Sequence, residues 1–318
     1  MSYVLRRLAQ TLFVVVAVTF LTSIALRFMP GGEKVLIGLT TGPGATPEQA
    51  AAKVKELGLD RPFITQYVSW MGDFVTGNWG TTWQTNQSIS AEIKRAMPTS
   101  LYLMIYGQFV ALGLAIPTAV WSAYRQNTRF DRMASTSAFG MLSLPNFIVA
   151  PLLVLIFSVT WNIFPFPSIY RSLWDSPIEH FKAFALPSFT IAIPLYAGYM
   201  RLLRADMIAS LQSDFITTAR AKGVSTPSLL FVHGLRPSLF SLVTSAAVNI
   251  GALMGGVVIV EQFSLLNGMG RLTVESIFRR EYPTVQYAVV LLALIYIFVN
   301  FFVDMAYAWI DPRVRAGR

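Results

Sequence analysis

Six stretches of this chain are apolar almost without interruption, and the polar positions between them form either short basic turns or longer amphipathic segments. The apolar runs cover residues 8–26, 101–121, 133–161, 183–200, 238–260 and 285–310. Each has about the length a helix needs to cross ~30 Å of hydrocarbon. At that depth no water serves the backbone, so a spanning run is predicted to close its own hydrogen bonds as a helix. The first run follows Arg6 and Arg7, exceeds a signal-peptide core and is not followed by an A-x-A cleavage site, which predicts an uncleaved span. Pro117, Pro145, Pro151, Pro187 and Pro194 fall inside the predicted spans. Membrane helices tolerate them where neighbours satisfy the freed carbonyls. In the fifth run, Gly251, Gly255 and Gly256 give a G-x-x-x-G face for close helix contact or for a channel wall.

Between the first two runs, over residues 29–100, hydrophobicity falls and local start and stop signals appear. Thr46-Pro47-Glu48-Gln49 supplies a cap, a first-turn proline and a capping-box partner ahead of a helix that Gly58 closes. A second helix is predicted from Pro62, with Phe63, Tyr67, Trp70 and Phe74 as an aromatic packing stripe, and a turn at Thr76 to Gly80. The longest polar interruption, residues 201–237, has its own pattern. Met207, Ile208, Leu211, Phe215 and Ile216 recur at three and four residues among polar neighbours, predicting a half-buried helix. Ala219, Ala221 and Gly223 then strip one face bare, Arg220 and Lys222 flank it, and Gly223 can end the helix in a left-handed turn.

Composition turns this pattern into a class. At 54% hydrophobic and 13% charged, with a mean hydropathy of +0.54, the chain is a membrane protein. The pI near 9.9 does not imply nucleic acid, because the basic residues are dispersed over short loops. With the N-terminus inside, the inner segments hold 13 Lys/Arg against Asp131, Asp206, Asp214 and Asp311, whereas the outer ones hold 11 of each sign. The excess of inner basic residues predicts cytoplasmic N- and C-termini. Zero cysteines exclude disulfides and thiolate metal sites. His180 and His233, the only imidazoles, fall on opposite sides, so they share no metal. No P-loop, H-E-x-x-H or G-x-S-x-G motif occurs, so no catalytic, metal or cofactor-binding residues are assigned. If the chain serves active transport, the energy has to enter through a partner. Pro145 and Asn146 of the Leu144-Pro145-Asn146-Phe147 segment, with Asn249, Gly251 and Gly255, are candidates for a translocation pathway. Asp304 is an intramembrane acid near enough to the span end to reach water or Arg313.

The segment Asp214 to Gly223, followed by His233-Gly234-Leu235-Arg236-Pro237, resembles the EAA loop of ABC-importer permeases in its dipeptide and oligopeptide variant. Thr217, Thr218 and Ala219 occupy the EAA positions and Gly223 the glycine; Arg236 stands where the general pattern has proline. Further matches occur in the family's order: Leu5-Arg6-Arg7, Arg27 to Gly31, Leu57 to Pro62, Val260 to Phe263, Asn267 to Arg271, Glu281-Tyr282-Pro283 and Asp311-Pro312-Arg313. The resemblance covers nearly the whole chain.

It implies an all-α membrane protein with the type I ABC importer permease fold. Six transmembrane helices would carry an extracytoplasmic helical insertion between spans one and two, in a bacterial inner membrane. The divisions are residues 1–28 (first span), 29–100 (extracytoplasmic region), 101–310 (permease core, with the coupling loop 201–237) and 311–318 (cytoplasmic tail). Asp214, Phe215, Thr217, Thr218, Ala219, Arg220, Ala221, Lys222 and Gly223 would form a coupling helix docking on a cytoplasmic ATPase. Glu261, Gly268, Gly270 and Arg271 would form an outer gate or a docking face, the alternative being a surface loop with a local salt bridge. Implied partners are a second homologous permease, two cytoplasmic ATPase domains that use ATP and Mg, an extracytoplasmic substrate-binding protein and membrane lipid. The implied cargo is di- or oligopeptide, with haem, nickel or glycopeptides carried by relatives. An ion-gradient-driven secondary transporter is the main alternative. It would favour inverted repeats and midplane ionisable groups, for which Asp304 is the single candidate. A membrane scaffold that moves nothing is the other.

Overall fold

The computed structural model describes residues 3–27, 46–56 and 60–310. The predicted stop at Gly58, the Phe28 to Gly31 pattern, Asp311-Pro312-Arg313 and the side chain of Asp304 lie outside the described residues. Those residues form helices α1 (Tyr3–Arg27), α2 (Pro47–Glu56), α3 (Phe63–Thr76), α4 (Ile89–Tyr124), α5 (Arg129–Leu142) and α6 (Asn146–Leu153). After a π-helical stretch, Val154–Thr160, come α7 (Pro177–Leu211) and α8 (Asp214–Ala221). The turn Thr226–Ser228 and π-helical Leu229–Leu235 then lead into α9 (Arg236–Ser264), α10 (Met269–Phe278) and α11 (Tyr282–Ile310). Among the described residues, extended pairing is confined to one bridge, Thr81 with Ser88.

Five helical stretches are long and apolar enough to cross a membrane: Leu5–Ala25, Ile89–Tyr124, Pro177–Leu211, Thr226–Gly251 and Tyr282–Phe302. Two helix pairs qualify only as bent units. Arg129–Leu142 meets Asn146–Thr160 at 106°, and Leu253–Ser264 meets Met269–Phe278 at 73°. The predicted span over 133–161 is thus a broken one. Pro145 has no N–H to give the preceding turn and drives Leu144 out of the helical region. Its carbonyl instead accepts from Ile148 and Val149, so the proline that ends α5 starts α6.

The centre of the bundle is the pairing of α4 with α7. Gly107, Ala111, Ala115, Ala119 and Ala123 recur every four residues and form a buried stripe of small side chains. Against it lie Ala192, Ala197, Tyr199, Met200 and Leu203 of α7. A Cβ on Gly107 would come within 2.9 Å of Ile191. Lipid tails are as apolar as the side chains, so such close backbone approach, and the dispersion it brings, is what holds membrane helices together.

The region 29–100 divides differently from the predicted boundary. Ile89, Ile93 and Ala96 are buried with Met269, Tyr287 and Ala288, so residues 89–100 are the first turns of α4. Glu92, Lys94 and Arg95 interrupt the hydrophobic run without interrupting the helical period. The capping box forms as expected: Thr46 N–H donates to Gln49 Oε1 at 3.0 Å and Gln49 N–H returns to Thr46 Oγ1 at 3.3 Å. Gly77, at φ 79°, closes α3. The α3 stripe packs on two spans: Phe63 and Tyr67 on Phe20 of α1, and Trp70 and Phe74 on Tyr287 of α11.

Candidate functional site

The single helix predicted through Met207, Ile208, Leu211, Phe215 and Ile216 is divided at Gln212 and Ser213: the first three belong to α7, which runs to Leu211 without a break, the last two to α8, and the π-helical turn after it feeds directly into α9. The short helix α8 hangs between them. Ser213 caps its start by accepting from Ile216 and Thr217, and Gly223, at φ 79°, ends it, with Val224 N–H reaching back to Ala219 O at 3.2 Å. Only Ile216 is buried, at 1% exposure, while Phe215 stands 49% exposed. Asp214, Thr217, Thr218, Arg220, Ala221, Lys222 and Gly223 are exposed and Ala219 is half-buried. The helix therefore touches its own chain along one edge. There Phe215 meets the His233 ring at 6.5 Å, and Gly234 lies tight against Leu211 and Met207.

Two turns before α7 ends, Arg204 makes a bidentate pair with Asp131 at the start of α5, Nε to Oδ1 at 2.6 Å and Nη2 to Oδ2 at 2.8 Å. Ser122 Oγ donates to the same carboxylate, and Asn127 N–H donates to it at 2.8 Å. Asp131 is buried at 3% exposure, so its charge is matched by the guanidinium and these donors. The Arg204 guanidinium beside it thus ties the α4–α5 corner to the helix that carries α8.

At the opposite end of the bundle, Glu261, fully buried, sits at the N-terminus of α10. Arg271 N–H donates to its Oε2 at 3.0 Å, and Ser100 Oγ of α4 donates to Oε1 at 2.5 Å while accepting from Met269 N–H at 2.7 Å. Three elements meet in this cap, which satisfies amide donors that α10 cannot pair internally. Gly268 is a consequence of it, whereas Gly270 answers to the backbone of α9. A Cβ on Gly268 would overlap the Glu261 carboxylate, and one on Gly270 would stand 2.5 Å from Val258 Cα. The Arg271 guanidinium turns away to Glu275 and Leu265 O, both at 2.6 Å, so the pairing expected between Glu261 and Arg271 runs through the Arg271 backbone. Nearby, buried Glu281 accepts from Trp83 N–H and Gln84 N–H, both at 2.7 Å, pinning the 79–88 loop to the base of α11.

The proposed pathway residues are dispersed. Pro145 and Asn146 form the α5–α6 break, with Asn146 Oδ1 buried and unpaired and the Asn146 amide 3.7 Å from where a Gly256 Cβ would stand. Asn249 belongs to a separate polar cluster in which the buried Tyr199 hydroxyl bonds Gln108 at 3.0 Å. Gly251 faces α11, where a Cβ would overlap the Tyr296 ring, and Gly255 faces open space. Gly251 is thus a helix-packing position, as a G-x-x-x-G face permits. His180 bonds Tyr106 and the Arg171 carbonyl, and among the described residues no cluster able to hold a metal occurs.

Comparison with known proteins decides the class. Residues 115–316 match the family described as binding-protein-dependent transport system inner membrane component, and residues 1–104 match its N-terminal counterpart. The chain belongs to this family. Among its relatives is a putative peptide transport system permease protein of Brucella abortus, 34% identical over 315 residues and 99% of both chains. An oligopeptide transport system permease protein of Bacillus subtilis is 31% identical over 98% of this chain and 99% of its own. A dipeptide transport system permease protein of Alkalihalophilus pseudofirmus is 29% identical over 99% of each. The family is one of transport-system membrane components, in keeping with the several apolar helices of the chain. Sequence reading singled out α8 and the Glu261 hairpin but passed over Arg204, Asp131, Ser100 and Gln108. Asp131 was visible only as the one acid in a basic turn, and its partner lies 73 residues away.

Proposed function

We propose that this chain is one of two permease subunits of an ATP-driven importer of di- and oligopeptides. The observation that carries the reading is α8: a short helix held to its own chain along the edge of Ile216 and exposed elsewhere, at the end of a continuous membrane helix. Such an element is suited to insert into a partner. On this reading Asp214 to Gly223 dock on a cytoplasmic ATPase, which supplies the ATP and Mg chemistry, and the peptide cargo is taken from the names of the relatives.

Six crossings fit if the α5–α6 pair counts as one broken span and α10 returns as a short outer arm. The N- and C-termini are then cytoplasmic, in keeping with the basic bias of the inner segments. Residues 29–88 and the Glu261–Arg271 hairpin then face outward, where a substrate-binding protein would deliver cargo. Closure of the ATPase pair on nucleotide favours one arrangement of the permease over the other, and the spans rock accordingly. Asp131 and Arg204 make α4, α5 and α7 respond to α8 as one body.

The test is purification of the tagged chain from native membranes in mild detergent. A second permease and ATPase subunits are expected to accompany it, and the reconstituted complex is expected to hydrolyse ATP faster with peptide-loaded binding protein. Uptake that persists without ATPase subunits and collapses with an ionophore would instead establish an ion-coupled carrier.

A further inference from the structure

Beside the α4–α7 seam lies a cleft of about 320 Å³ lined by Leu114, Thr118, Met141, Phe189, Ile193 and Tyr196. Its lining is apolar apart from two hydroxyls. Leu114, Thr118 and Trp121 are spaced by four and three residues along one face of α4, and Arg125 follows four residues on at its C-terminal end. About 16 Å along the helix from Leu114 the chain thus reaches the α4–α5 corner. There the Arg125 guanidinium rests over the Trp121 ring, 5.1 Å from its centroid. Arg125, Arg129 and Arg132 are all exposed, as are Trp121, Tyr124 and Phe130. The one acid of the corner, Asp131, is already neutralised by Arg204, which leaves the three arginines as unopposed positive charge.

We propose that this cleft and corner form a binding site for an anionic phospholipid, with an acyl chain in the cleft and the phosphate at Arg125, Arg129 and Arg132. An apolar slot at membrane depth takes hydrocarbon, and a basic, aromatic rim at its end takes a negative headgroup. Neither half alone selects this ligand. A soluble phosphate has no use for the cleft, and a zwitterionic lipid gains little from the rim.

The test is native mass spectrometry of the full-length chain in mild detergent, titrated with phosphatidylglycerol and phosphatidylcholine of identical acyl chains. One engaged arginine is worth about 1 kcal/mol at a membrane surface, or about five-fold in affinity. Phosphatidylglycerol is therefore expected to bind at least about five-fold tighter. The combined Arg125→Gln, Arg129→Gln and Arg132→Gln variant should lose that preference and keep phosphatidylcholine. Thr118→Phe and, independently, Leu114→Trp should reduce retention of both lipids, and glycerol phosphate without acyl chains should not bind. Equal binding of the two lipids, a preference surviving the triple substitution, or cleft variants with unchanged retention would overturn the site. So would a triple variant that sheds ATPase subunits on co-purification while keeping its lipid preference, since the corner would then be a protein contact.

Discussion

At the residue scale, two glycines separated by one position are held for different reasons, the first of them a carboxylate. Glu261 caps α10 from within the preceding helix, and the space its head occupies is the space a Gly268 side chain would need. Gly270 is required for a different reason, the approach of the Val258 backbone. Backbone cannot yield as a side chain can, so Gly270→Ala should lower stability by about 1–3 kcal/mol. Gly255→Ala, in open space within α9, should be neutral or stabilising by up to ~1 kcal/mol. Thermal unfolding in detergent measures the contrast. The Asp131–Arg204 pair invites a double-mutant cycle. Arg204→Gln alone leaves the buried Asp131 carboxylate without its counter-charge, at roughly 3 kcal/mol, Asp131→Asn leaves the half-buried Arg204 unmatched at a smaller cost, and the double variant should cost clearly less than the sum. Strict additivity would mean the pair is not coupled. Neither arrangement is legible in the sequence. The motif around Gly268 and Gly270 points to the hairpin, but a capping carboxylate cannot be told from a surface ion-pair partner without knowing where Ser100 and the α10 amides lie.

At the scale of elements, features set by local chemistry were readable and those that depend on distant contacts were not. The capping box at Thr46, the turn that opens at Thr76, the left-handed stop at Gly223 and the aromatic stripe of α3 are all dictated by residue type and spacing, whereas the break that separates α8 from α7 was not. The 106° break at Pro145 was readable in kind but not in degree, because a proline permits either a kink or a full corner. The small-residue stripe of α4, five positions at four-residue spacing, was present in the sequence yet obscured by the apolar background of a membrane span. Its role predicts that Ala115→Leu, by forcing α4 from α7, destabilises by about 1–3 kcal/mol, as thermal unfolding in detergent would register. For α8, the positive φ at Gly223 makes the test specific. Gly223→Val should strain the stop by about 1–2 kcal/mol and lower transport per ATP hydrolysed, whereas Gly223→Asn, which accepts that conformation, should retain coupling. A reconstituted transport assay with parallel ATPase readout distinguishes them, and full coupling in the valine variant would count against the docking role.

For the whole molecule, the two ends of the bundle are built from different chemistry. One end joins α4, α5 and α7 through an ion pair and suspends α8 from them; the other closes α4, α9, α10 and α11 through two buried carboxylates, Glu261 and Glu281. Rigid ends joined by small-residue seams favour movement as bodies over local bending, as an alternating-access importer needs. The all-helical membrane class was legible because hydrocarbon leaves a chain few options, whereas the number of crossings was not, since two of the helix pairs are bent rather than straight. The arrangement of the ends was not, since each depends on residues far apart in sequence.

The absence of cysteine makes the central claim open to a single-thiol measurement. A cysteine placed at Thr218 or Ala221 of α8, in the full chain assembled with its partners, would be labelled with a maleimide–benzophenone reagent, photolysed so that the benzophenone inserts into a neighbouring C–H bond, and the product identified by mass. The account predicts a cross-link to an ATPase subunit from both positions and none from a control cysteine at Thr160, the last residue of the π-helical stretch. ATPase cross-links missing from both α8 positions, in a complex that still transports peptide, would contradict it.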